Sequence, residues 1–257
     1  MMALVTGASM GIGKYIAIEL AKRGYNLILT SRNNVLLEEV RKGCMSVSGV
    51  EVHLFAIDLS IPGSAQSLYQ WTVDQNLKVD VVVNNAGFGD YGAFYQSSYD
   101  KVSEMIHLNV SSLTQLTRLF LPEMIQQAHG YIMNVASVAG FIPGPFMAVY
   151  YATKAYVVSF SEAIAEELRG TGVIVSAYCP GATETAFFER ASAGNNPLFK
   201  LIPMPSASAV ATYGVNALFK EKILPIYGLV NKINVFTLRW LPRRFVIKML
   251  AKIQKAR

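Results

Sequence analysis

Several features that define other classes of protein are scarce or missing in this chain of 257 residues. It has only two cysteines, Cys44 and Cys179, which cannot form a disulfide framework. No run of about 18 uncharged apolar residues occurs, because Lys232 and Arg239 interrupt the best candidate, so we expect no membrane-spanning helix. The first residues contain no basic segment before an apolar stretch, so we expect a cytoplasmic, reducing environment.

Charge is also scarce, and it is unevenly placed. Charged residues make up 16% of the chain and hydrophobic residues 52%, a composition that excludes a disordered or fibrous protein. Nine of the 23 basic residues lie in residues 222–257, which hold no acidic residue. The rest of the chain has 14 basic against 17 acidic residues. Binding to a phosphate backbone requires a wider basic surface, so we expect no nucleic-acid partner.

Metal-ligand motifs and interdomain linkers are missing too. His53, His107 and His129 lie in different segments without the spacing of metal ligands, so we expect no metal site. No internal repeat and no Pro/Gly/Ser linker divides the chain. We therefore expect one domain, with residues 1–221 as its catalytic part and residues 222–257 as a C-terminal extension of the same domain.

Short apolar segments rich in β-branched residues alternate with longer amphipathic segments. Because the short segments do not alternate polar with apolar residues, they are expected to be buried on both faces of a parallel sheet. The intervening segments are long enough for helical crossovers that cover both faces. The pattern predicts a doubly wound α/β fold, a three-layer Rossmann sandwich. The predicted strands are 3–6, 26–30, 52–57, 79–83, 131–135 and 173–178.

A glycine-rich turn follows the first predicted strand and leads into a helical segment. Gly7, Gly11 and Gly13 are spaced G-x-x-x-G-x-G, which differs from the common G-x-G-x-x-G fingerprint. Glycines at such a turn allow a tight bend and close approach of a pyrophosphate, and the helix N-terminus offers free N–H groups. We predict a dinucleotide site here. The alternative is a glycine-rich helix entry without a ligand.

The end of the second predicted strand bears on which dinucleotide binds. NAD-binding folds usually have an acidic residue here that binds the ribose 2′-hydroxyl, whereas this strand ends Thr30-Ser31-Arg32. The Arg32 guanidinium suits a 2′-phosphate, with Ser31 as a second donor, so the sequence favours NADP(H) over NAD(H). An ordinary surface arginine is the alternative.

A serine, a tyrosine and a lysine form the most specific signal. Tyr150 and Lys154 are four residues apart and share one face of a predicted helix. An adjacent ammonium favours the phenolate and is expected to lower the pKa of Tyr150. The rival phenol, Tyr151, has Ala155 four residues on. Ser137 follows the fifth predicted strand, where its hydroxyl is placed to hold a carbonyl oxygen.

Together these motifs resemble the classical short-chain dehydrogenase/reductase family over roughly residues 3–185. The gap between Ser137 and Tyr150 and the order of the motifs fit that family. Two positions depart from the commonest form of the family. Ala136 stands where many members have serine, and Met10 stands where many NADP-dependent members have a basic residue. The remaining matching motifs are Asp58-Leu59, Asn84-Asn85-Ala86-Gly87, Asn109 and Pro180-Gly181.

The resemblance implies roles for the matching positions. Asp58 would contact adenine, Lys154 would also bond the nicotinamide ribose, and Asn109 would anchor a water in a proton relay. From the residues alone, Asp58 could equally cap a helix, and Asn109 could face solvent. The implied catalytic residues are Asn109, Ser137, Tyr150 and Lys154. The implied cofactor-binding residues are Gly7, Ser9, Met10, Gly11, Ile12, Gly13, Ser31, Arg32, Asp58, Leu59, Asn85, Ala86, Gly87, Tyr150, Lys154, Pro180, Gly181, Thr183 and Thr185.

These roles predict hydride transfer between NADP(H) and a carbonyl or alcohol carbon, with Tyr150 as general acid and base. Apolar residues in the expected substrate loops favour a hydrophobic ketone or aldehyde. Alternatives are a non-catalytic NADP(H) sensor and a membrane-surface scaffold. Family analogy also implies a homodimer or homotetramer formed through the helices of Asn109 and Tyr150. The loop residues are Tyr91, Phe94, 141–146, Phe187, Phe188, 198, 199, 201 and 202, of which the last six fall within the expected substrate loop at about 182–204.

The end of the chain is amphipathic as a helix. Basic residues lie on one side of the helical wheel, and apolar residues occupy another. This pattern suits contact with an anionic membrane surface, and it suits equally a helix packed on the body of the enzyme with a solvated basic face. The basic residues are Arg244, Lys248, Lys252 and Lys255, and the apolar residues are Phe245, Val246, Met249, Leu250 and Ile253.

Overall fold

The computed structural model describes residues 1–185, 187, 191 and 204–255. Six parallel strands form one sheet in the order β3-β2-β1-β4-β5-β6. This order reverses direction between β1 and β4, as in a doubly wound Rossmann sheet, and the predicted fold class is confirmed. The strands are β1 Met2–Thr6, β2 Asn26–Ser31, β3 Val52–Ala56, β4 Val81–Asn84, β5 Gly130–Val135 and β6 Val173–Tyr178.

Helices follow each strand and cover both faces of the sheet. A π-helical turn, His107–Ser112, joins α4 to α5, and short 3-10 turns lie at Phe94–Gln96 and Val138–Phe141. The α-helices that the structure describes are α1 Gly11–Lys22, α2 Asn34–Ser48, α3 Ser64–Asp74, α4 Tyr99–Ile106, α5 Leu113–Gln126, α6 Ala148–Glu167, α7 Ala207–Leu218, α8 Leu229–Leu238 and α9 Arg243–Gln254.

The core consists of two apolar layers, one on each face of the sheet. Side chains alternate along a strand, so Val5 of β1 packs with α1, α2 and α7, whereas Leu4 packs with α3 and α5 on the other side. Ile16 and Leu20 of α1 are fully buried in the first layer, and Leu68 of α3 is fully buried in the second. Burial of these side chains fixes the carboxyl ends of the strands, which carry the site.

The two outer strands differ from the expectation of burial on both faces. In β3 only Val52 is buried, because this strand lies at an edge of the sheet and part of it faces solvent. At the opposite edge, residues 223–226 run beside β6. The Ala177 amide donates to the Ile223 carbonyl at 2.7 Å, and the Cys179 amide donates to the Pro225 carbonyl at 2.9 Å. These bonds lead the chain from α7 towards α8 at the carboxyl end of the sheet.

The basic C-terminal segment packs on the rest of the chain. Val246 and Leu250 of α9 are buried, and Gln254 donates from Nε2 to the Tyr151 hydroxyl at 3.1 Å. The Tyr91 hydroxyl donates to the Gln254 carbonyl. Of the two arrangements predicted for this amphipathic helix, the structure therefore has the one in which α9 packs on the body of the protein. Within the described ranges, no helix has the length and apolar character needed to cross a bilayer.

Candidate active site

A cavity of about 1770 Å³ opens at the carboxyl ends of the strands. Every residue predicted to bind the cofactor lines this one cavity. Of the predicted catalytic residues, Ser137, Tyr150 and Lys154 line it too, whereas Asn109 lies behind its wall. The cavity lies at the switch point of the strand order, where open α/β sheets bind their ligands.

The glycine turn forms one end of the cavity. Gly7 has a φ of 64°, a backbone angle that residues other than glycine rarely adopt. A Cβ atom on Gly13 would lie 2.3 Å from both the Gly7 carbonyl oxygen and Asn85 Nδ2, so only glycine fits where α1 meets the turn. Met10 is the N-cap of α1 and makes no side-chain cap hydrogen bond. The first N–H groups of α1 therefore remain available for an anion, which fits a pyrophosphate.

Thr6 and Asn85 fasten the turn to the end of β4. The Thr6 hydroxyl accepts hydrogen bonds from the amides of Asn85 and Ala86 at 2.9 and 3.0 Å. Asn85 Nδ2 donates to the carbonyls of Thr6 and Gly7 at 2.9 and 3.1 Å. Sequence reasoning missed Thr6, and a hydroxyl at the end of a fully buried strand is the signal that points to it. The Asn85 side chain thus holds the turn in place.

An arginine and an aspartate define the adenosine end of the cavity. Arg32 Nη1 lies 3.5 Å from Asp58 Oδ2, and the Arg32 side chain is 63% exposed. The Ser60 amide and hydroxyl both donate to Asp58 Oδ1. Burial acts to raise the pKa of Asp58, but the hydrogen bonds from Ser60 and the nearby Arg32 charge outweigh it, so the pKa is lowered. The Thr30 hydroxyl in the cavity wall is buried without a partner in the described part of the chain.

Ser137, Tyr150 and Lys154 meet in the middle of the cavity. Ser137 Oγ lies near enough to the Tyr150 hydroxyl to lower the pKa of that phenol; it donates to the Pro180 carbonyl at 3.4 Å and accepts from the Ala139 amide at 3.1 Å. Lys154 Nζ lies 5.8 Å from the centroid of the Tyr150 ring. The neighbouring phenol, Tyr151, bonds Gln254 instead. The structure therefore places Tyr150 rather than Tyr151 beside the serine.

The electrostatics of this trio differ from the expectation. Burial raises the pKa of Tyr150, and the hydrogen bond with Ser137 offsets only part of that rise. Burial also lowers the pKa of Lys154 to about 8. Lys154 donates to the Val135 carbonyl at 2.7 Å, so its ammonium is directed to β5 and not to the phenol. The expected lowering of the Tyr150 pKa by Lys154 is therefore absent from this structure.

Asn109 is buried and does not face solvent, which was the alternative that the sequence left open. It lies in the π-helical turn, a feature common at functional sites, and is 1% exposed. Its side chain accepts from the Phe88 amide at 3.1 Å and donates to the Phe88 carbonyl at 2.9 Å and to Thr153 at 3.1 Å. A Cβ atom on Gly87 would lie 2.9 Å from Asn109 Oδ1. Asn109 thus fixes the backbone that follows β4.

The segment after β6 closes the cavity from the other side. Thr183 is buried and donates to the Gly181 carbonyl at 3.0 Å. A Cβ atom on Gly11 would lie 3.2 Å from Thr185 Cγ2, so this segment approaches the glycine turn closely. A Cβ atom on Gly181 would lie 2.4 Å from Asn231 Nδ2 of α8. Most of the expected substrate loop, including Phe188 and positions 198–202, lies outside the described residues.

The wall beyond Tyr150 is apolar. The Phe187 ring lies 5.2 Å from the Tyr150 ring, centroid to centroid. Of the other expected loop residues, only Ile142 of 141–146 lines the cavity. Tyr91 and Phe94 do not line it, because Tyr91 bonds Gln254 and Phe94 faces solvent. Sequence reasoning assigned α8 and α9 no part in this wall. The apolar lining residues include Ile142, Met147, Phe187, Leu229, Val235, Leu238, Leu241, Val246, Met249 and Leu250.

Histidine, cysteine and carboxylate side chains do not assemble into a ligand set for a metal in the part of the chain that the structure describes. The two cysteines are buried. Burial raises the pKa of Cys44 to about 11 and that of Cys179 to about 12, so both remain thiols at neutral pH. Neither a thiolate nor a metal centre therefore accompanies the hydroxyls of Ser137 and Tyr150 and the Lys154 amine among the described residues of the cavity.

Comparison with known proteins agrees with the geometry. Residues 1–196 match the short chain dehydrogenase family. The chain is 32% identical over 250 residues to the very-long-chain 3-oxoacyl-CoA reductase of Rattus norvegicus, covering 93% of this chain and 76% of that protein. The chain therefore belongs to the short-chain dehydrogenase/reductase family of oxidoreductases.

Two solved structures extend the comparison to the cofactor. A short-chain dehydrogenase from Sphingobium yanoikuyae in complex with NADPH has a TM-score of 0.83 and 27% identity, covering 100% of this chain and 97% of that one. A short-chain dehydrogenase/reductase from Burkholderia phymatum in complex with NAD has a TM-score of 0.82 and 26% identity, covering 91% of each chain. Structural neighbours therefore include complexes with both nicotinamide dinucleotides.

Proposed function

We propose that this protein is an NADP(H)-dependent reductase of a hydrophobic ketone or aldehyde, with Tyr150 as its general acid and base. The observation that carries the proposal is the single cavity that joins the glycine turn, the Ser137 and Tyr150 hydroxyls and an apolar wall from α8 and α9. The rat relative is named for very-long-chain 3-oxoacyl-CoA. A 3-oxoacyl thioester is therefore the first class of substrate to test.

The residues of the chain supply binding and proton transfer. When bound, the nicotinamide supplies the hydride. The Ser137 hydroxyl is placed to hold the substrate oxygen, and the nearby Tyr150 hydroxyl in the same cavity donates its proton to that oxygen during reduction. Because burial raises the pKa of Tyr150, the phenol is protonated at neutral pH, the form that a proton donor requires, but the same rise makes it a weaker acid. Lys154 Nζ donates to the Val135 carbonyl and lies 5.8 Å from the centroid of the Tyr150 ring, so its proposed parts are to hold the ribose and to attract the phenolate across that distance, without a hydrogen bond to it.

Preference for NADP(H) rests on Arg32. Its guanidinium lies at the edge of the cavity, largely exposed, where a 2′-phosphate can reach it. Asp58 is the nearest carboxylate, and its pairing with Arg32 at 3.5 Å leaves other guanidinium N–H groups for the phosphate. Ser31 Oγ accepts from the Asn33 amide at 3.3 Å, so the start of this loop is held in place.

The lowered pKa of Lys154 predicts a pH dependence. With a pKa of about 8, Lys154 is an ammonium at lower pH and loses its charge as the pH rises through that value. If the charge assists Tyr150, kcat/KM for reduction will be constant near neutral pH and will fall about tenfold per pH unit at higher pH. Initial rates of NADPH oxidation across this range measure the profile. A profile that stays constant well above pH 8 would contradict the role of Lys154.

A chain-length series tests the substrate class. Each methylene that enters an apolar cavity contributes about 0.8 kcal/mol, so kcat/KM should rise about fourfold per added methylene until the wall is covered. Purified protein is assayed with NADPH and 3-oxoacyl thioesters of increasing length, with sugars and small keto acids as polar controls. Equal rates with polar and apolar carbonyl compounds would contradict the proposal.

The other functions predicted from the sequence make different demands. A non-catalytic NADP(H) sensor needs neither the Ser137–Tyr150 pair nor an apolar wall next to it, and a scaffold needs no cofactor turn. Measurable turnover of any carbonyl compound with NADPH excludes both as the main role. Pairing into a dimer or tetramer through the helices of Asn109 and Tyr150 stays a prediction, and sedimentation velocity of the purified protein tests it.

A further inference from the structure

Helices α8 and α9 and the turn between them expose many large apolar side chains to solvent. Leu229, Ile233, Phe236 and Trp240 recur at the spacing of one helical face, and Trp240 is 79% exposed. Soluble proteins rarely expose large apolar side chains together, and where they do, the patch usually marks an interaction surface. We call this set the docking face; it comprises Leu229, Val230, Ile233, Phe236, Trp240, Leu241, Phe245 and Met249.

Positive charge surrounds the docking face. Residues 222–257 contain no acidic residue. Over the described part of this segment, none of the basic side chains forms an ion pair with a carboxylate, so their charge is not neutralised within the chain. The exposed basic residues on or beside α8 and α9 are Lys232, Arg239, Arg243, Arg244, Lys248, Lys252 and Lys255.

The docking face also borders the mouth of the active-site cavity. Four of its residues are exposed and at the same time line the cavity, namely Leu229, Val230, Leu241 and Met249. The buried side of the same helices, through Val246, forms the inner wall. Apolar side chains therefore continue from the docking face into the cavity through these four residues, although the polar residues Asn231, Asn234 and Thr237 of α8 line the cavity beside them.

We propose that the docking face binds the surface of an anionic lipid bilayer and that apolar substrate enters the cavity from that bilayer; the second part rests on the proposed function. Aromatic and aliphatic side chains beside lysine and arginine are the composition of helices that lie in the interface of a membrane. Trp240 and Phe236, whose ring centroids lie 6.5 Å apart, would lie at the headgroup level.

The charge argues against a second copy of the chain as the occupant. In a two-fold dimer the same surface meets itself, so the basic residues of one docking face would lie against those of the other. Like charges brought together across an interface are unfavourable, whereas anionic headgroups complement them. The bilayer is thus the occupant that satisfies both the apolar and the charged residues.

Co-sedimentation with vesicles tests the docking face. The full chain is incubated with phosphatidylcholine vesicles prepared with and without phosphatidylserine. We expect binding to the vesicles with phosphatidylserine, and we expect added salt to weaken it because the charges are exposed. The variant F236S/W240S should bind at least about tenfold more weakly, since two large apolar side chains no longer enter the interface. The variant K248Q/K252Q should bind about 30-fold more weakly, since each removed charge contributes about 1 kcal/mol.

The matched control is V47S/V73S, which removes two exposed apolar side chains from α2 and α3, outside the docking face and the cavity. This control should bind vesicles as the wild type does. Absence of wild-type binding, equal binding without phosphatidylserine, or an equal loss in the control would overturn the proposal. So would a wild-type dimer, seen by sedimentation velocity, that F236S/W240S converts to monomer.

Activity separates this proposal from the function on which it rests. With a short-chain substrate in solution, F236S/W240S should retain wild-type kcat/KM, because neither side chain lines the cavity. With a long-chain 3-oxoacyl substrate carried in vesicles, its rate should fall about in proportion to its lost binding. Equal rates on the vesicle substrate would overturn delivery from the bilayer. Vesicle binding by a protein that reduces no carbonyl compound would overturn the proposed function and leave the docking face standing.

Discussion

Replacement of Tyr150 by phenylalanine is expected to lower kcat for carbonyl reduction by about 10²–10⁴-fold, the usual contribution of a positioned general acid. The ring and its contact with Phe187 remain, so the cavity keeps its shape and only the proton donor is lost. NADPH binding, measured by fluorescence titration, should change little. Retention of wild-type turnover would show that the proton comes from another group.

Tyr151→Phe is the matched control. It removes a phenolic hydroxyl from the adjacent residue of the same helix and breaks the hydrogen bond with Gln254. That bond contributes to stability on the order of 1 kcal/mol and carries no proton to substrate, so kcat should stay within a few-fold of wild type. A loss as large as that of Tyr150→Phe would mean that the position of α6, and not the Tyr150 hydroxyl, limits the rate.

Replacement of Arg32 by glutamine is expected to reduce the preference for NADPH over NADH about 10- to 100-fold. Hydrogen bonds to a charged group contribute about 1.5–3 kcal/mol, and glutamine cannot supply the positive charge that a 2′-phosphate requires. The measurement is kcat/KM for each cofactor with the same carbonyl substrate. Any effect of the broken pair with Asp58 acts on both cofactors and cancels in the ratio.

Arg169→Gln provides the comparison for Arg32. Arg169 is an exposed arginine paired with a glutamate, and it lies outside the cavity. It loses the same charge, so an effect of net charge on the binding of an anionic cofactor would appear in both variants. An unchanged cofactor ratio in Arg32→Gln, or an equal change in Arg169→Gln, would contradict recognition of the 2′-phosphate by Arg32.

Features that depend on local pattern could be predicted from the sequence. The buried strands were predictable from their β-branched, apolar composition. Their parallel arrangement was predictable from their alternation with helical segments. The glycine turn was predictable because its glycines lie directly between a predicted strand and a predicted helix, where Gly7 and Gly11 have positive φ values. The Tyr150 and Lys154 pair was predictable because helical spacing alone puts both residues on one face.

Features that depend on contacts between segments distant in the sequence could not be predicted from local pattern. The direction of the Lys154 ammonium is set by the Val135 carbonyl, which only the packing of α6 on β5 brings near. Membership of α8 and α9 in the cavity wall depends on contacts such as that of Asn231 with Gly181. The amphipathic pattern of α9 shows that Val246 and Leu250 turn inward, but it does not say against which surface.

The hydrogen bond between Gln254 and Tyr151 joins the end of α9 to the helix that carries Tyr150. Tyr151 is the immediate neighbour of the proposed proton donor, and Gln254 lies in the last turn of α9. By thermodynamic reciprocity, a ligand that binds more tightly when α9 is in place also stabilises α9 in that place by the same free energy. Val246, Met249 and Leu250 of α9 line the cavity, so a substrate that packs against them is expected to protect the end of the chain from unfolding.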